Sequence, residues 1–224
     1  MTRRAGLVYG LALTESLTDN SSLMSLSEYF SDSIRVLELA RQSWRENLLA
    51  GALETITGAL RAGRPLLVCG NGGSASDAMH ITGELVGRFL LERRALNAIC
   101  LASNPSVLTA WANDYSFETI FSRQVEAYGS PGAVLLGIST SGNSKNVIAA
   151  FEQARALDMK TIALTGEGGG RLAALSDYLF AVPSRSTPLI QQAHLCLYHY
   201  LCQSIETELA GIGNREAASQ IAGR

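Results

Sequence analysis

Residues 66–84 read LLVCGNGGSASDAMHITGE, and this stretch decides the fold. Its first four residues are all apolar, which is typical of a parallel strand that is covered on both faces. Gly70, Gly72 and Gly73 then predict a tight turn, because glycine adopts positive φ and lets a ligand approach the backbone. A helix is expected next, with Ser74 or Ser76 as its cap. Free N–H groups at such a turn attract anionic or polar oxygens.

His80 and Glu84 lie four residues apart on this predicted helix, so their side chains share one face. An imidazole and a carboxylate one turn apart can bind one metal ion or share a proton. The same spacing is also common in surface ion pairs. The glycine turn itself fits neither the dinucleotide fingerprint nor the P-loop pattern. The pair alone therefore leaves a structural and a functional interpretation open.

Composition limits the class of protein. The chain has 224 residues, of which 47% are hydrophobic and 17% charged, and its formal net charge is −2. These values suit one domain with a large core, and the absence of a basic stripe argues against a nucleic-acid partner. No apolar run approaches the ~20 residues that span a bilayer. The four cysteines form no CxxC pair, which favours reduced thiols in a cytoplasmic protein.

The first 23 residues are expected to form a disordered extension, with the domain occupying residues 24–224. Thr2-Arg3-Arg4 and the apolar residues up to Leu13 resemble a signal peptide only faintly. The apolar part is short, and no cleavage site follows it. Translation from Met24 is an alternative explanation of the extension. Two helices, at about 25–48 and 50–62, are predicted to pack or assemble beside the domain.

Five strands are predicted along the rest of the chain, at residues 66–69, 96–101, 133–138, 160–164 and 178–182. Helical segments alternate with them, and residues 113–115 are expected to form a turn. This alternation predicts an α/β fold, with a single, mainly parallel, five-stranded sheet flanked by helices. Ligands in such sheets bind at the carboxyl ends of the strands. The glycine turn lies at one of those ends.

A second turn at a strand end carries four hydroxyl groups. Ser139, Thr140, Ser141 and Ser144 follow the third predicted strand and precede a helix. Hydroxyls and free N–H groups at a helix start suit a phosphate monoester without any need for Arg or Lys. A serine-rich loop that only caps its helix would have the same composition, so both interpretations stand.

The last predicted helix carries further candidate residues. Gln191, Leu195 and His199 recur at intervals of four, and His194 lies on a neighbouring face. All three histidines of the chain lie on this helix or on the helix of His80. Their clustering predicts a shared site.

Taken together, these residues resemble the sugar isomerase (SIS) domain family, and within it the isomerases of a seven-carbon sugar phosphate. The similar segments occur in order over residue 25 to the C-terminus: 70–74 (GNGGS), 77–80 (DAMH), 84–89 (ELVGRF), 113–115 (NDY), 121–126 (FSRQVE), 137–144 (GISTSGNS), 163–166 (ALTG) and 190–191 (IQ), with His194 and His199.

The resemblance implies roles for individual residues. Substrate-binding positions are matched by Asn71, Gly72, Gly73, Glu84, Asn113, Asp114, Ser139, Thr140, Ser141, Ser144 and Gln191. Zinc-binding positions, for one ion per subunit, are matched by His80, Glu84, Gln191 and His199. Glu84 and His199 also match the acid/base pair, and no organic cofactor is expected. The family assembles as homotetramers whose active sites lie at subunit contacts.

The resemblance implies an isomerase that converts D-sedoheptulose 7-phosphate to D-glycero-D-manno-heptose 7-phosphate for the activated heptoses of surface glycans. A non-catalytic SIS protein that binds a phosphosugar or a replication initiator is the alternative. Glu84 and His199 favour the enzyme, because the initiator-binding relatives hold other residues there. Pro188, Leu189 and Gln192 depart from the family pattern, in which Asp, Arg and Glu often occupy these positions.

Overall fold

The computed structural model describes residues 24–222, and the side chains of residues 24–210. The extension expected over residues 1–23 lies outside the described residues. No helix within the described part of the chain is long and apolar enough to span a membrane.

One sheet of five parallel strands forms the centre of the molecule. The strands are β1 (Leu66–Gly70), β2 (Ala98–Cys100), β3 (Val134–Ser139), β4 (Lys160–Thr165) and β5 (Tyr178–Ala181), in the spatial order β2-β1-β3-β4-β5. The predicted α/β fold is therefore confirmed. Because β1 connects to one side of the sheet and β3 to the other, the chain changes direction between these two strands.

Within residues 24–222, seven α-helices surround the sheet or extend from it: α1 (Leu26–Ser43), α2 (Glu46–Arg61), α3 (Gly73–Val86), α4 (Pro105–Asp114), α5 (Ser122–Tyr128), α6 (Lys145–Ala156) and α7 (Thr187–Ala222). Two short 3₁₀ segments lie at Phe117–Thr119 and Gly170–Leu175. A capping box between Ser25 and Glu28 fixes the start of α1.

The sheet separates two apolar cores. Leu66 and Val68 face a layer formed with α2, α3 and α7. The alternate residues Leu67 and Cys69 face a layer that includes α5 and α6. Successive side chains of a strand point to opposite faces, so a strand between two helical layers must be apolar throughout. This explains why residues 66–69 are all apolar.

Helix α1 is attached through one side only. Val36 and Ala40 are buried against Val182, Leu189 and other residues of a small third cluster, which also includes part of α7. A neighbouring row of α1, formed by Leu26, Phe30 and Ile34, is exposed. The helix therefore presents a second apolar face that the described residues do not cover.

Several predicted boundaries are wrong. The first helix ends at Ser43, and the chain bends at Trp44, whose indole N–H donates to the carbonyl of Ala181. Residues 113 and 114, which were expected to form a turn, are the last two residues of α4. This helix begins at Pro105, directly after its Asn104 cap. Gly72, with φ +55, caps α3 in place of Ser74 or Ser76.

Candidate active site

The two turns singled out from the sequence lie side by side. The glycine turn follows β1 and the hydroxyl turn follows β3, and these two strands are neighbours in the sheet. The connections of the sheet diverge between β1 and β3, which opens a crevice at the carboxyl ends of the strands. In open α/β sheets this crevice is where ligands bind.

A pair of amides joins the two turns. The side chain of Asn71 donates to Asn146 at 2.9 Å, and Asn146 donates back to Asn71 at 2.8 Å. Asn146 lies in the first turn of α6 and is buried. It was not among the predicted site residues, and nothing in its spacing distinguishes it from an ordinary helix residue. The pair holds the glycine turn in register with the hydroxyl turn.

Gln191 lies directly against the glycine turn. A Cβ atom added at Gly73 would lie 2.5 Å from Gln191 Nε2, so any larger residue at position 73 would displace the amide. This close approach explains the glycine that begins α3. It also brings the start of α7 to the site, as the sequence predicted for Gln191.

The hydroxyl turn is internally ordered. The Ser139 and Ser144 hydroxyls are 2.8 Å apart, and the backbone N–H of Asn143 donates to the Ser141 hydroxyl at 3.1 Å. Gly142 has φ +65, and a Cβ there would lie 2.1 Å from the carbonyl oxygen of Gly169. The turn is thus packed against the loop after β4, with its hydroxyl groups collected at the start of α6.

Three titratable side chains of the predicted site converge on the helix face above the glycine turn. One ligand atom from each of His80, Glu84 and His199 lies within 4.8 Å of the other two. His80 Nε2 is 3.0 Å from Glu84 Oε1, and the rings of His80 and His199 are 5.0 Å apart. The clustering predicted for His80 and His199 is therefore observed.

The surroundings of His80 test whether these residues suit a metal ion. The Tyr198 hydroxyl lies 3.4 Å from Asp77 and 3.1 Å from His80 Nδ1. When it donates to Asp77, its oxygen accepts from the Nδ1–H of His80, and the Nε2 lone pair of the neutral ring then faces the carboxylate of Glu84. In that tautomer two lone pairs repel at this distance unless a proton or a cation lies between them. The donor set fits a metal ion, with Tyr198 and Asp77 orienting the histidine.

Burial affects the groups behind His80. It raises the pKa of Asp77, although the hydrogen bond from Tyr198 and the nearby His80 oppose this shift. It also raises the pKa of Tyr198, and the adjacent Asp77 adds to the effect. Tyr198 therefore keeps its proton near neutral pH and remains a donor to Asp77. Neither residue was predicted from the sequence, although Asp77 lies within the motif that ends at His80.

His194 does not join the other two histidines, so the predicted sharing of one site by all three is wrong. Its ring is fully buried, and Nε2–H donates to the Thr165 carbonyl at the end of β4. Each residue turns an α-helix by about 100°, so the five residues from His194 to His199 turn it by about 500°, which is about 140° more than one full turn. The two side chains therefore point to different faces of α7. His194 is a core residue.

Asn113 and Asp114 form the last residues of α4 and are exposed, with the Asn113 amide donating to Asp114 at 2.9 Å. Thr140 is half-buried at the end of β3, and Gly72 is exposed at the start of α3.

Leu189, one of the departures from the family pattern, is buried beside Val36, and Gln192 donates to the Tyr29 hydroxyl at 3.1 Å. These two departures therefore serve to hold α1 against α7.

A parallel α/β domain with adjacent hydroxyl and glycine turns, and with a His–Glu–His cluster on the helix that follows the glycine turn, has the features of a sugar-phosphate isomerase. The family model of the SIS domain matches residues 28–166, and the chain belongs to this family.

Several similar proteins are phosphoheptose isomerases. The phosphoheptose isomerase of Crocosphaera subtropica is 54% identical over 157 residues, which are 70% of this chain and 80% of that protein. That of Akkermansia muciniphila is 44% identical over 190 residues, which are 83% of this chain and all of that protein. Among solved structures, phosphoheptose isomerase GmhA from Neisseria gonorrhoeae superimposes with a TM-score of 0.76 at 42% identity, covering 81% of this chain and 96% of that one.

Proposed function

We propose that this protein is an aldose–ketose isomerase that converts D-sedoheptulose 7-phosphate to D-glycero-D-manno-heptose 7-phosphate. The observation that carries the proposal is the convergence of His80, Glu84 and His199 between α7 and the helix that begins at the glycine turn, which lies beside the hydroxyl turn. A module that only binds a phosphosugar needs the hydroxyl turn but has no use for a carboxylate and an imidazole at hydrogen-bond distance. The names of the relatives point to the same substrate.

The substrate phosphate is assigned to the hydroxyl turn. Ser139, Ser141 and Ser144 supply hydroxyl donors, and α6 begins at the next residue, so its free N–H groups face the same place. A phosphate at a helix start is stabilised by these donors and by the helix dipole. Asn71, Gly72, Gly73 and Thr140 border the crevice, where they are proposed to contact the sugar. Asn113 and Asp114 are proposed substrate contacts as well.

The isomerisation moves one proton from C1 to C2 and exchanges the carbonyl and hydroxyl groups. Glu84 is the proposed base, which takes the carbon-bound proton from C1 and returns it to C2. His199 is the proposed acid, which moves a proton between the two oxygens. A carboxylate and an imidazole suit these tasks, because both are side chains that act as general bases and acids when they lie within hydrogen-bond reach of the substrate.

A zinc ion is the proposed cofactor, one for each subunit. His80, Glu84, Gln191 and His199 would hold it, which gives oxygen and nitrogen donors of the kind zinc accepts. When bound, the ion supplies a positive charge that polarises the carbonyl oxygen. When Tyr198 donates to Asp77, its oxygen holds His80 in the tautomer whose free Nε2 can bind metal.

A cytoplasmic homotetramer is the proposed form of the protein. The described part of the chain exposes several large apolar side chains on α1, α3 and α7, among them Phe30, Met79 and Tyr200. Contiguous apolar surface of this kind marks a protein interface. Contacts through α1 and α2 would also close the crevices between neighbouring subunits, with active sites at the contacts.

The proposal is tested with purified protein and D-sedoheptulose 7-phosphate, followed by NMR with and without a chelator. Appearance of the aldose signals, and their suppression by the chelator until zinc is restored, is the expected result. Binding of the sugar phosphate without any conversion, at full metal loading, would support the phosphosugar-binding alternative instead.

A further inference from the structure

One buried carboxylate holds the loop that follows α3. Glu206 of α7 accepts the backbone N–H groups of Phe89, Leu90 and Leu91 at 2.9, 2.6 and 2.8 Å. Three successive N–H groups on one carboxylate fix the path of the chain through these residues, because each bond sets the direction of one peptide. The side chain of Glu206 is 1% exposed, so the loop closes over it completely.

The partner of this carboxylate, Arg93, extends the arrangement to the proposed base. Its side chain is also 1% exposed and lies 3.2 Å from Glu206. Nη2 donates to the carbonyl of Glu84 at 2.7 Å, and Nη1 donates to the carbonyl of Gly87 at 3.1 Å. The end of α3 that carries Glu84 is thereby tied to α7, which carries His199.

The same loop also contacts His199 directly. The ring of Phe89 stacks on the imidazole, with centroids 5.7 Å apart and an interplanar angle of 29°. Phe89 owes its position to its own N–H bond with Glu206. Glu206 and Arg93 are thus connected to both proposed proton-transfer residues, to Glu84 through its backbone and to His199 through Phe89.

A stabilising role alone does not account for so complete a burial. A buried ion pair costs about as much to desolvate as it returns, and replacement by apolar residues is often neutral for stability. What such a pair does provide is a defined geometry for the groups bonded to it. Here those groups are the turn of Glu84 and the loop of Phe89.

We propose that Glu206 and Arg93 are positioning residues, which fix the separation and orientation of Glu84 and His199 for the isomerisation. This inference rests on the proposed function for its kinetic consequence, while its structural consequence can be measured without substrate. The pair sets how Glu84 and His199 face each other. It leaves the hydroxyl turn, which follows β3, unaffected.

The kinetic test compares Glu206→Gln and Arg93→Lys with a matched control, Glu208→Gln. Glu208 lies on the same helix two residues away, and its ion pair with Arg61 is exposed at 2.8 Å. Each test variant should lower kcat by about 10- to 100-fold per folded, zinc-loaded subunit, because small displacements of catalytic groups have effects of this size. KM should change less than about threefold, since the hydroxyl turn is intact. The control should retain wild-type kcat.

The structural test uses the NMR signals of the three histidines in protein labelled with ¹³C-histidine, without substrate. Phe89→Leu removes the ring that stacks on His199, so it identifies the His199 signal and the direction in which loss of the ring current shifts it. Glu206→Gln should shift the His199 signal in that same direction. His194, which is buried at the end of β4, should keep its signal in every variant.

The outcomes separate the inference from the proposed function. A Glu206→Gln protein whose His199 signal and kcat both equal those of the control overturns the inference, even if the enzyme is active. A uniform loss of stability with unchanged kcat per folded subunit also overturns it, because the pair would then be only structural. If Glu206→Gln shifts the His199 signal but the wild-type protein has no isomerase activity, the positioning is upheld and the proposed function is refuted.

Discussion

Asn71 and Asn146 exchange two side-chain hydrogen bonds, 2.9 and 2.8 Å long, between the turn after β1 and the helix after β3. The two turns come from segments 75 residues apart in sequence. In a parallel sheet neighbouring strand ends can move relative to one another, so a reciprocal amide pair fixes their spacing. If the hydroxyl turn binds the phosphate and the glycine turn binds the sugar, as proposed, the crevice between them needs a defined width, and this pair sets it.

Asn146→Ala should therefore weaken substrate binding more than it affects the chemical step. Losing two buried hydrogen bonds frees Asn71 and should cost about 1–2 kcal/mol, which is a rise in KM of roughly 5- to 30-fold. Steady-state kinetics measures the change. Asn97→Ala is the control, because the Asn97 amide donates to Gly63 at the opposite ends of the strands. Equal KM values in both variants would refute the role of the pair.

The hydroxyl turn is tested with Ser141→Ala and Ser144→Ala. Each removes one donor from the proposed phosphate site, and binding should weaken by about 1–2 kcal/mol per hydroxyl, up to roughly 30-fold in Kd. Calorimetric titration with the sugar phosphate gives the affinities. Ser103→Ala serves as control, because its hydroxyl bonds only to the Cys100 carbonyl at the end of β2. If both test variants bind as the wild type does, the phosphate lies elsewhere.

His194 predicts a pH dependence of stability. Burial lowers its pKa to about 4 from 6.5, although its bond to Thr165 opposes this shift. The unfolded chain therefore binds a proton below about pH 6.5 that the folded chain does not bind until about pH 4, and stability falls as pH falls across this window. Between pH 7 and pH 5 the wild type should lose about 2 kcal/mol more than His194→Gln, which retains a donor for Thr165.

Urea unfolding at the two pH values measures the difference. Since Gln does not titrate, the contribution of all other groups is common to both proteins and cancels in the comparison. Identical losses in wild type and variant would show that the folded protein accepts a proton on His194 at its ordinary pKa.

The exposed row of α1 predicts the effect of a charge on assembly. Phe30 is 59% exposed, while the neighbouring face of the helix, with Val36 and Ala40, is buried against Val182 and Leu189. Phe30→Glu should dissociate the proposed tetramer without unfolding the subunit, because a glutamate cannot be buried unpaired in an apolar contact. Light scattering gives the mass. As a control, Ser31→Glu adds the same charge to the polar side of α1 and should leave the tetramer intact. If both variants have the mass of the wild-type assembly, the contact between subunits lies elsewhere.

Much of the fold follows from the sequence, for identifiable reasons. The strands at 66–70 and 134–139 are buried on both faces, so each consists of apolar residues and glycine up to an end in glycine or serine, and the strand at 160–165 has the apolar centre Ile162–Leu164 before Thr165. The ends of the helices were harder to predict from the sequence. The α1–α2 boundary depends on how Trp44 packs against β5, a long-range contact that no local pattern records.

The site was only partly predictable. The glycine and hydroxyl turns are visible in the local sequence, and the His80–Glu84 spacing identifies one helix face. The clustering of the histidines placed His199 with His80, but its role came only from the family resemblance, because the distance between the two residues depends on how α7 packs on α3. Asn146, Glu206 and Arg93 were missed, since a buried polar residue in a helix has no signature until its partner is known. Clustering of histidines in sequence misassigned His194 for the same reason.

The proposed roles of Glu84 and His199 are tested by removing each titratable group while keeping a polar side chain. Glu84→Gln and His199→Asn should each lower turnover at least 1,000-fold, since general acid–base catalysis contributes roughly 10²- to 10⁴-fold and a displaced metal adds to the loss. The zinc content of each variant is measured beside its rate, so that a lost ion is not mistaken for a lost base. A variant that turns over normally returns its residue to the role of a surface polar group.

The most direct measurement is NMR of the product formed from D-sedoheptulose 7-phosphate by the wild-type protein in D₂O. Proton transfer through Glu84 exposes the abstracted proton to solvent exchange, so the account predicts D-glycero-D-manno-heptose 7-phosphate with deuterium at C2. The Glu84→Gln protein, loaded with metal, should form neither the aldose nor any deuterated substrate. Aldose that retains its original hydrogen at C2, or a folded and zinc-loaded wild type that forms no aldose, would contradict the account.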